Sequence, residues 1–259
     1  MELLEYLYNN VNKSKNTIKN LLRDGYVFVN GKSITKYNYN IKETDKVEIR
    51  NKINNIDIVY EDKNIIVVNK PYNLLTISTK NEKEKTLYHM VSDYVKSKNK
   101  KDKIFIVHRL DKDTSGLVVM AKNEIIKNKL QNKWNNVNRE YIAIVSGNTI
   151  DKGIIKTNLE EKNNRVFVST KGSLAITEYK KIKSNDKYTM LNIIIKTGRK
   201  HQIRVHLNSI GHPIIGDNKY GDIKSKRMML HAYKLEFVLY NKKYSFKIDY
   251  PLIFKQYLN

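Results

Sequence analysis

Apolar positions in the first fifty residues follow a helical period and then a strand period. Leu3, Leu4 and Leu7 fall on one side of a short helix. Behind Ser14, a plausible N-cap, KNTIKNLLRDG repeats the pattern with Ile18, Leu21 and Leu22, and Gly25 is placed as a left-handed stop. YVFVNGKSI then reads as a strand, an Asn30-Gly31 turn and a return strand, and KVEI before Arg50 as a further strand. NKINNI (51–56) is polar and asparagine-rich and reads as a linker, which separates a unit at 1–52 from a larger one at 57–259.

The larger unit opens with two strand-like runs, IDIVYED and IIVVNKP. The second stops at Pro71, which has no N–H for a sheet ladder. TLYHMVSDYVKS predicts a helix near 86–97, KNKKDK a basic loop, and NEIIKNKLQNKW a helix capped by Asn123. REYIAIVSG, AITEYKKI, MLNIIIKTG, KLEFVLY and KYSFKIDY are strand-like, while 79–104 and 158–173 are expected to hold specificity loops. Regular strand–helix alternation is missing, which argues against a doubly wound parallel sheet. No glycine-rich phosphate loop follows a strand, so no nucleotide cofactor is expected.

Composition narrows the partner. The 259 residues include 49 Lys and Arg against 26 Asp and Glu, a net charge of +23. Such a field attracts polyanions, and nucleic acid is the expected partner. Lys, Asn, Ile and Tyr all have A/T-rich codons, which explains some of the lysine but not the shortage of acids. Lys15, Lys19 and Arg23 recur every fourth position and share a helix face. Lysine outnumbers arginine 41 to 8, and Arg109, Arg139, Arg199, Arg204 and Arg227 cluster in or near the segments that carry chemistry. There are no cysteines, hence no disulfide or thiolate site. The start of the chain lacks the pattern of a signal peptide, and no run of about 18 apolar residues occurs, so a cytoplasmic protein without a membrane span is expected. Monomer is the default.

The densest polar chemistry is HRLDKDTSG (108–116), set directly against the apolar run LVVMA. It reads as a loop feeding a core strand, with Thr114 and Ser115 able to bond freed backbone groups. From spacing alone two readings stand side by side: an ordinary Asx-rich turn, or a catalytic loop. HRLD-x-x-TSGL resembles the signature of the RluA-type pseudouridine synthases. IIVVNKPYNLL (65–75) resembles that family's earlier V-N-K-P element, with Tyr72-Asn73 in place of the usual Ala-Gly. TGRKHQIRVHLNSIGHPIIGDNKYG (197–221) resembles its late motif, with Lys200 where Thr is usual. Residues 1–50 resemble the S4-like RNA-binding domain through the basic second helix and the VFVNGK hairpin.

The resemblance implies an α+β protein. A small S4-like domain would precede a catalytic domain built on a mixed, mainly antiparallel sheet with flanking helices. It also implies site residues: Asp111 as the essential aspartate, Tyr141 of REYIAIV as the active-site tyrosine, and Arg204 of HQIRVHL as the arginine paired with the aspartate. His108 and Arg109 would lie against RNA beside a flipped nucleotide. Thr114, Arg199 and His201 are further candidate RNA contacts, and Lys15, Lys19, Arg23 and Lys32 would grip backbone from the S4-like unit. His201, Arg204 and Asn208 are expected on one side of a helix whose apolar face is Ile203, Leu207 and Ile210.

Isomerising uridine needs neither redox cofactor nor ATP, since no atom is gained or lost. It needs a carboxylate aimed at the ribose–base linkage, kept ionised by a guanidinium. Zinc is disfavoured because His201 and His206 point apart on a helix. An Asp111–Asp113 glycosidase pair lacks a set of sugar-binding aromatics. The competing reading is a non-catalytic RNA-binding or ribosome-assembly protein on the same fold. The pairing of S4-like and RluA-type parts favours large-subunit ribosomal RNA as substrate.

Overall fold

A computed structural model describes all residues except 24–26, 31, 50–55, 80–85 and 259, and leaves the side chains of 32 and 33 undescribed. Contacts divide the chain into Met1–Asn55 and Ile56–Asn259.

In the first unit, helices α1 (Leu3–Asn10) and α2 (Lys15–Arg23) accompany a three-stranded antiparallel sheet of order β2-β1-β3: β1 is Val27–Val29, β2 Lys32–Ile34 and β3 Val47–Ile49. Leu3, Leu7, Ile18, Leu22, Val27 and Val29 form its core. Ser14 caps α2 as expected, its Oγ accepting from the Thr17 N–H at 3.3 Å. Lys15, Lys19 and Arg23 are exposed on α2, with the Lys15 ammonium over the Tyr8 ring at 5.5 Å. The expected stop at Gly25 and the Gly31 half of the turn lie outside the described residues. Asn30 does adopt the left-handed conformation (φ 50°) that such a turn needs.

The second unit is built on one large sheet. Its strands are β4 (Asp57–Glu61), β5 (Ile65–Lys70), β6 (Phe105–Ile106), β7 (Ser115–Ala121), β8 (Asn138–Ser146), β9 (Lys152–Lys162), β10 (Arg165–Val168), β11 (Ser173–Ser184), β12 (Tyr188–Ile195), β13 (Leu230–Leu239) and β14 (Lys242–Lys247). The main path runs β10-β9-β11-β12-β8-β13-β7-β5-β4, with β14 on β13 and β6 on β7. Every strand pair but β13–β7 is antiparallel, which matches the mixed, mainly antiparallel sheet implied by the resemblance.

The continuous apolar runs of β5 and β7 have a simple cause. Successive side chains point to opposite faces, and here both faces are covered. Ile66, Val68, Val118 and Met120 pack with Leu87, Val91 and Val95 of helix α3 (Leu87–Lys98). Ile65, Val67, Leu117 and Val119 pack with Ile126 and Leu130 of helix α4 (Glu124–Asn132) on the other side. A strand buried on both sides has no polar alternation to show. Both helices carry N-caps: Thr86 accepts from the His89 N–H at 3.3 Å, and Asn123 accepts from the Ile126 N–H at 2.9 Å.

Two expectations need correction. Segment 158–173 is largely a hairpin and not a loop. β9 and β10 are joined by Asn163-Asn164, both left-handed (φ 51° and 59°), the conformation of a two-residue hairpin turn. In segment 79–104 the expected helix near 86–97 is present as α3, and 80–85 lie outside the described residues. The late helix, α5 (Gln202–Ser209), begins one residue after His201, which sits outside it at φ 54°. His201 therefore does not share a helix face with Arg204, and Asn208 is exposed while Arg204 is buried.

Gly116 joins the polar loop to the sheet. Its φ is +116°, and a Cβ there would sit 2.2 Å from the Ala232 carbonyl oxygen, where β7 pairs with β13. Gly116→Ala is expected to lower stability by about 3 kcal/mol or more, from backbone strain and the forced separation of the two strands. Urea denaturation of the two proteins measures it, and a midpoint within error of the parent would contradict this account.

Candidate active site

The 108–114 segment is held at each step by a different element. His108 Nε2 accepts the Val119 N–H of β7 at 3.1 Å. The Thr76 hydroxyl donates to the Leu110 carbonyl at 2.7 Å. The Thr114 N–H closes a turn on the Asp111 carbonyl at 3.2 Å. Lys70, fully buried at the end of β5, donates to the carbonyls of Pro71, Leu74 and Lys112 at 3.0, 2.6 and 3.1 Å. Burial pulls the Lys70 ammonium down to about 7, opposed by Asp113 and Asp111. Three carbonyl acceptors favour its charged form, so we read it as a cation that ties the earlier motif to the loop. The turn after Lys70 survives the Tyr72-Asn73 departure because Asn73 takes the left-handed conformation (φ 62°) that the missing glycine would have supplied.

Asp111 projects from this loop toward α5. Its Oδ2 accepts from Arg204 NH1 at 3.1 Å, and His201 Nε2 lies 3.7 Å away. The stronger partner of Arg204 is Asp217, whose two oxygens accept from Nε and NH2 at 2.7 Å each. The side chains of Arg204 and Asp217 are 7% and 1% exposed, so this is a buried bidentate pair. Burial raises the Asp217 carboxyl, but Arg204 and the N–H groups of Lys219 and Tyr220 outweigh it and hold the group below the usual range. Burial likewise lowers Arg204, and Asp217 and Asp111 more than reverse it. The guanidinium is thus permanently charged, saturated on one edge, and offers its remaining nitrogen to Asp111.

Tyr220 completes this group. Its ring lies 5.1 Å from the Arg204 guanidinium, and its hydroxyl meets His201 Nδ1 at 2.8 Å and accepts the Val166 N–H at 3.0 Å. Burial lowers His201 to about 4 against the pull of Asp111, so the ring is neutral at pH 7. Lys200, the other departure from the motif, pairs with Glu161 of β9.

A cavity of about 290 Å³ brings Asp111, Tyr141 and Arg204 together with His108, Arg109, Thr114, Arg199 and His201. A second hollow of about 370 Å³ shares Arg109, Asp111, His201 and Arg204 with it. Tyr141 is buried in β8, and burial, reinforced by Asp111 and resisted by Arg139, pushes its phenol up to about 12. It presents a neutral hydroxyl and a flat ring. Arg109 and Arg199 are exposed, the latter with Nε donating to the Leu174 carbonyl at 3.1 Å. Thr114 is 3% exposed. His108 is stacked on Trp134 at 4.4 Å and lowered to about 3 by burial, with Arg139 adding to the effect. It is a neutral ring in the cavity wall. The side chain of Lys32 lies outside the described residues.

Several members of this site escape a reading of the sequence: Asp217 and Tyr220 in GDNKYG, Lys70 and Trp134, while Arg139 stands out there only as one of the few arginines near the segments that carry chemistry. For Asp217 the signal was present, as an acid inside a motif otherwise rich in base. Pairing Arg204 with Asp111 alone left it without a role.

The RNA pseudouridylate synthase family profile matches residues 64–209, and the S4 domain profile matches residues 3–47. The chain is 40% identical over 197 residues to the ribosomal large subunit pseudouridine synthase D of Borreliella burgdorferi, covering 70% of this chain and 60% of that protein. It is 36% identical over 228 residues to the ribosomal large subunit pseudouridine synthase C of Rickettsia bellii, covering 83% and 73%. The solved structure of human RNA pseudouridylate synthase domain containing 4 superposes with a TM-score of 0.67 at 23% identity, over 78% of this chain and 91% of that one, a likeness of fold. The matched segment runs from the edge of β5 to the end of α5, the stretch that holds Asp111, Tyr141 and Arg204, and with it the chain belongs to the RNA pseudouridylate synthase family, joined to an N-terminal S4 domain.

Proposed function

We propose that this enzyme, acting in the cytoplasm as a monomer, converts specific uridines of large-subunit ribosomal RNA to pseudouridine, with Asp111 as the reacting carboxylate. The observation that carries the reading is the position of Asp111: a carboxylate at the wall of a cleft whose other charged groups are mostly arginines. A pure RNA binder has no use for an acid there, because it repels phosphate.

The reaction breaks the bond from ribose C1′ to N1, turns the uracil, and joins C5 to C1′. N1 gains a proton and C5 loses one, so atoms balance without a co-reactant. The target must first leave its stack, at a cost of a few kcal/mol. Arg109, exposed and shared by both hollows, is suited to occupy the gap. Asp111 then meets the ribose, either attacking C1′ or removing a ribose proton, and both routes need the ionised form. Arg204 supports that form with one N–H, and Asp217 keeps the guanidinium from rotating. Because Asp217 takes up most of the cation, Asp111 is oriented without being fully neutralised. Tyr141 supplies the face on which the detached uracil stacks while it turns. With its phenol near 12, its hydroxyl acts at pH 7 as a donor or relay and not as a resting base. The proposed substrate is ribosomal because relatives 36–40% identical carry that name.

Mapping pseudouridine in total RNA with and without the gene identifies the target uridine. On an RNA carrying it, Asp111→Asn is expected to lose at least about 10³-fold in rate while binding stays within a few-fold. Full activity in that variant removes Asp111 from the chemistry, and a parent protein that converts no uridine favours the non-catalytic binder. Asp217→Asn leaves a buried guanidinium without its bidentate partner, so stability is expected to fall by about 3 kcal/mol and turnover with it. Thermal unfolding and single-turnover rates check both. Replacing Lys15 and Lys19 by Ala should make the salt dependence of RNA binding shallower by about one to two ions. An unchanged slope would show that α2 does not touch phosphate.

A further inference from the structure

Arg139 is a buried cation without a counter-charge. It stands at the start of β8, two residues before Tyr141, and is 5% exposed. No carboxylate forms a salt bridge with it among the described residues. Its Nε has no hydrogen-bond partner, and the bond from its NH2 to the Ile195 carbonyl is a long 3.5 Å. Removing a guanidinium from water without a partner is unfavourable, and proteins rarely leave it so unless something arrives to complete it.

The surroundings say what could arrive. The guanidinium forms part of the same cavity wall as Asp111 and Tyr141. It lies 5.8 Å from the centre of the Trp134 ring, and Trp134 is stacked on neutral His108. Gly198 abuts it: a Cβ there would fall 3.0 Å from NH1, so the absence of a side chain leaves room for the fork. Arg109 and Arg199 line the same cavity, and neither makes a salt bridge among the described residues. Asp111 is already engaged by Arg204. The cavity therefore offers three guanidiniums to an anion, at a wall where a neutral uracil carbonyl would leave most of that charge unanswered.

We infer that Arg139, backed by Trp134 and Gly198, is a seat for a backbone phosphate next to the everted uridine, a positioning residue that fixes the nucleotide's sugar in front of Asp111. The inference deepens the reading of the chain as an RNA pseudouridine synthase and rests on it. Burial lowers the pKa of Arg139, in keeping with a cation that lacks its anion while the cleft is empty. A planar fork suits phosphate in a way an ammonium does not.

The test is a cycle between protein and RNA. The RNA is a short stem-loop carrying the mapped uridine, in an all-phosphate form and in two forms with one neutral methylphosphonate, on the 5′ or the 3′ side of that uridine. The neighbouring 2′-hydroxyl is methylated in all three. Arg139→Gln and Arg139→Lys are compared with the parent, their folding checked by thermal unfolding. Trp134 is the sole tryptophan, so its fluorescence reads binding at this wall directly, with or without turnover. Arg139→Gln should lose about tenfold or more in affinity and kcat/KM on the all-phosphate RNA, a loss lying in KM and not in kcat. The parent should lose a similar factor on one of the two neutral RNAs, while Arg139→Gln should lose nothing further on that RNA. Arg139→Lys should fall between. If Arg139→Gln is impaired by the same factor on all three RNAs, Arg139 is structural or reads the base, and the phosphate seat is overturned. A parent protein that binds these RNAs with the expected coupling but makes no pseudouridine would overturn the enzymatic reading alone.

Discussion

A guanidinium buried between two carboxylates governs this site. Arg204 is fixed by two short bonds to Asp217 and offers one longer bond to Asp111. The inequality matters. Had Asp111 taken the bidentate position, its charge would be quenched and its oxygens occupied. With Asp217 there instead, Asp111 is steered by a cation that is largely satisfied elsewhere. A bare Arg204 would be costly to bury, and a bare Asp111 would repel RNA, so each of the three groups needs the other two.

The scaffold makes that geometry rigid by burying β5 and β7 on both faces. The 108–114 segment enters the middle of a packed sheet, where its backbone has little freedom. Its remaining polar groups are met one by one, by Val119, Thr76 and Lys70. The Lys70 bond to Lys112 joins two motifs far apart in sequence. The V-N-K-P element thereby has a physical role, since it holds the loop that carries the acid.

Much of this was legible in the chain. The strands at β4, β5, β7, β8 and β11–β14, the caps at Ser14 and Asn123, and the loop-into-strand reading of HRLDKDTSGLVVMA all follow from local pattern. The Asp111–Arg204 pair followed from resemblance, and the two groups do meet. The failures have a common cause. Asn163-Asn164 is a hairpin turn without the glycine that usually announces one. His201 has a helical sequence context and a left-handed backbone. Tyr220 is tied to Val166 of β10, 54 residues away, and no spacing rule reaches that far to find the contact.

The β9–β10 hairpin adds one more constraint. Val166 of β10 donates to the Tyr220 hydroxyl, the same hydroxyl meets His201, and His201 faces Asp111. Lys200, beside His201, is tied to Glu161 on the same hairpin. The hairpin is therefore not an independent flap. Any macromolecule that levers it outward pulls on the hydrogen bonds from Val166 to Tyr220 and from Tyr220 to His201, whose far end lies 3.7 Å from Asp111, so contact made at the margin of the sheet is felt, mechanically, beside that carboxylate.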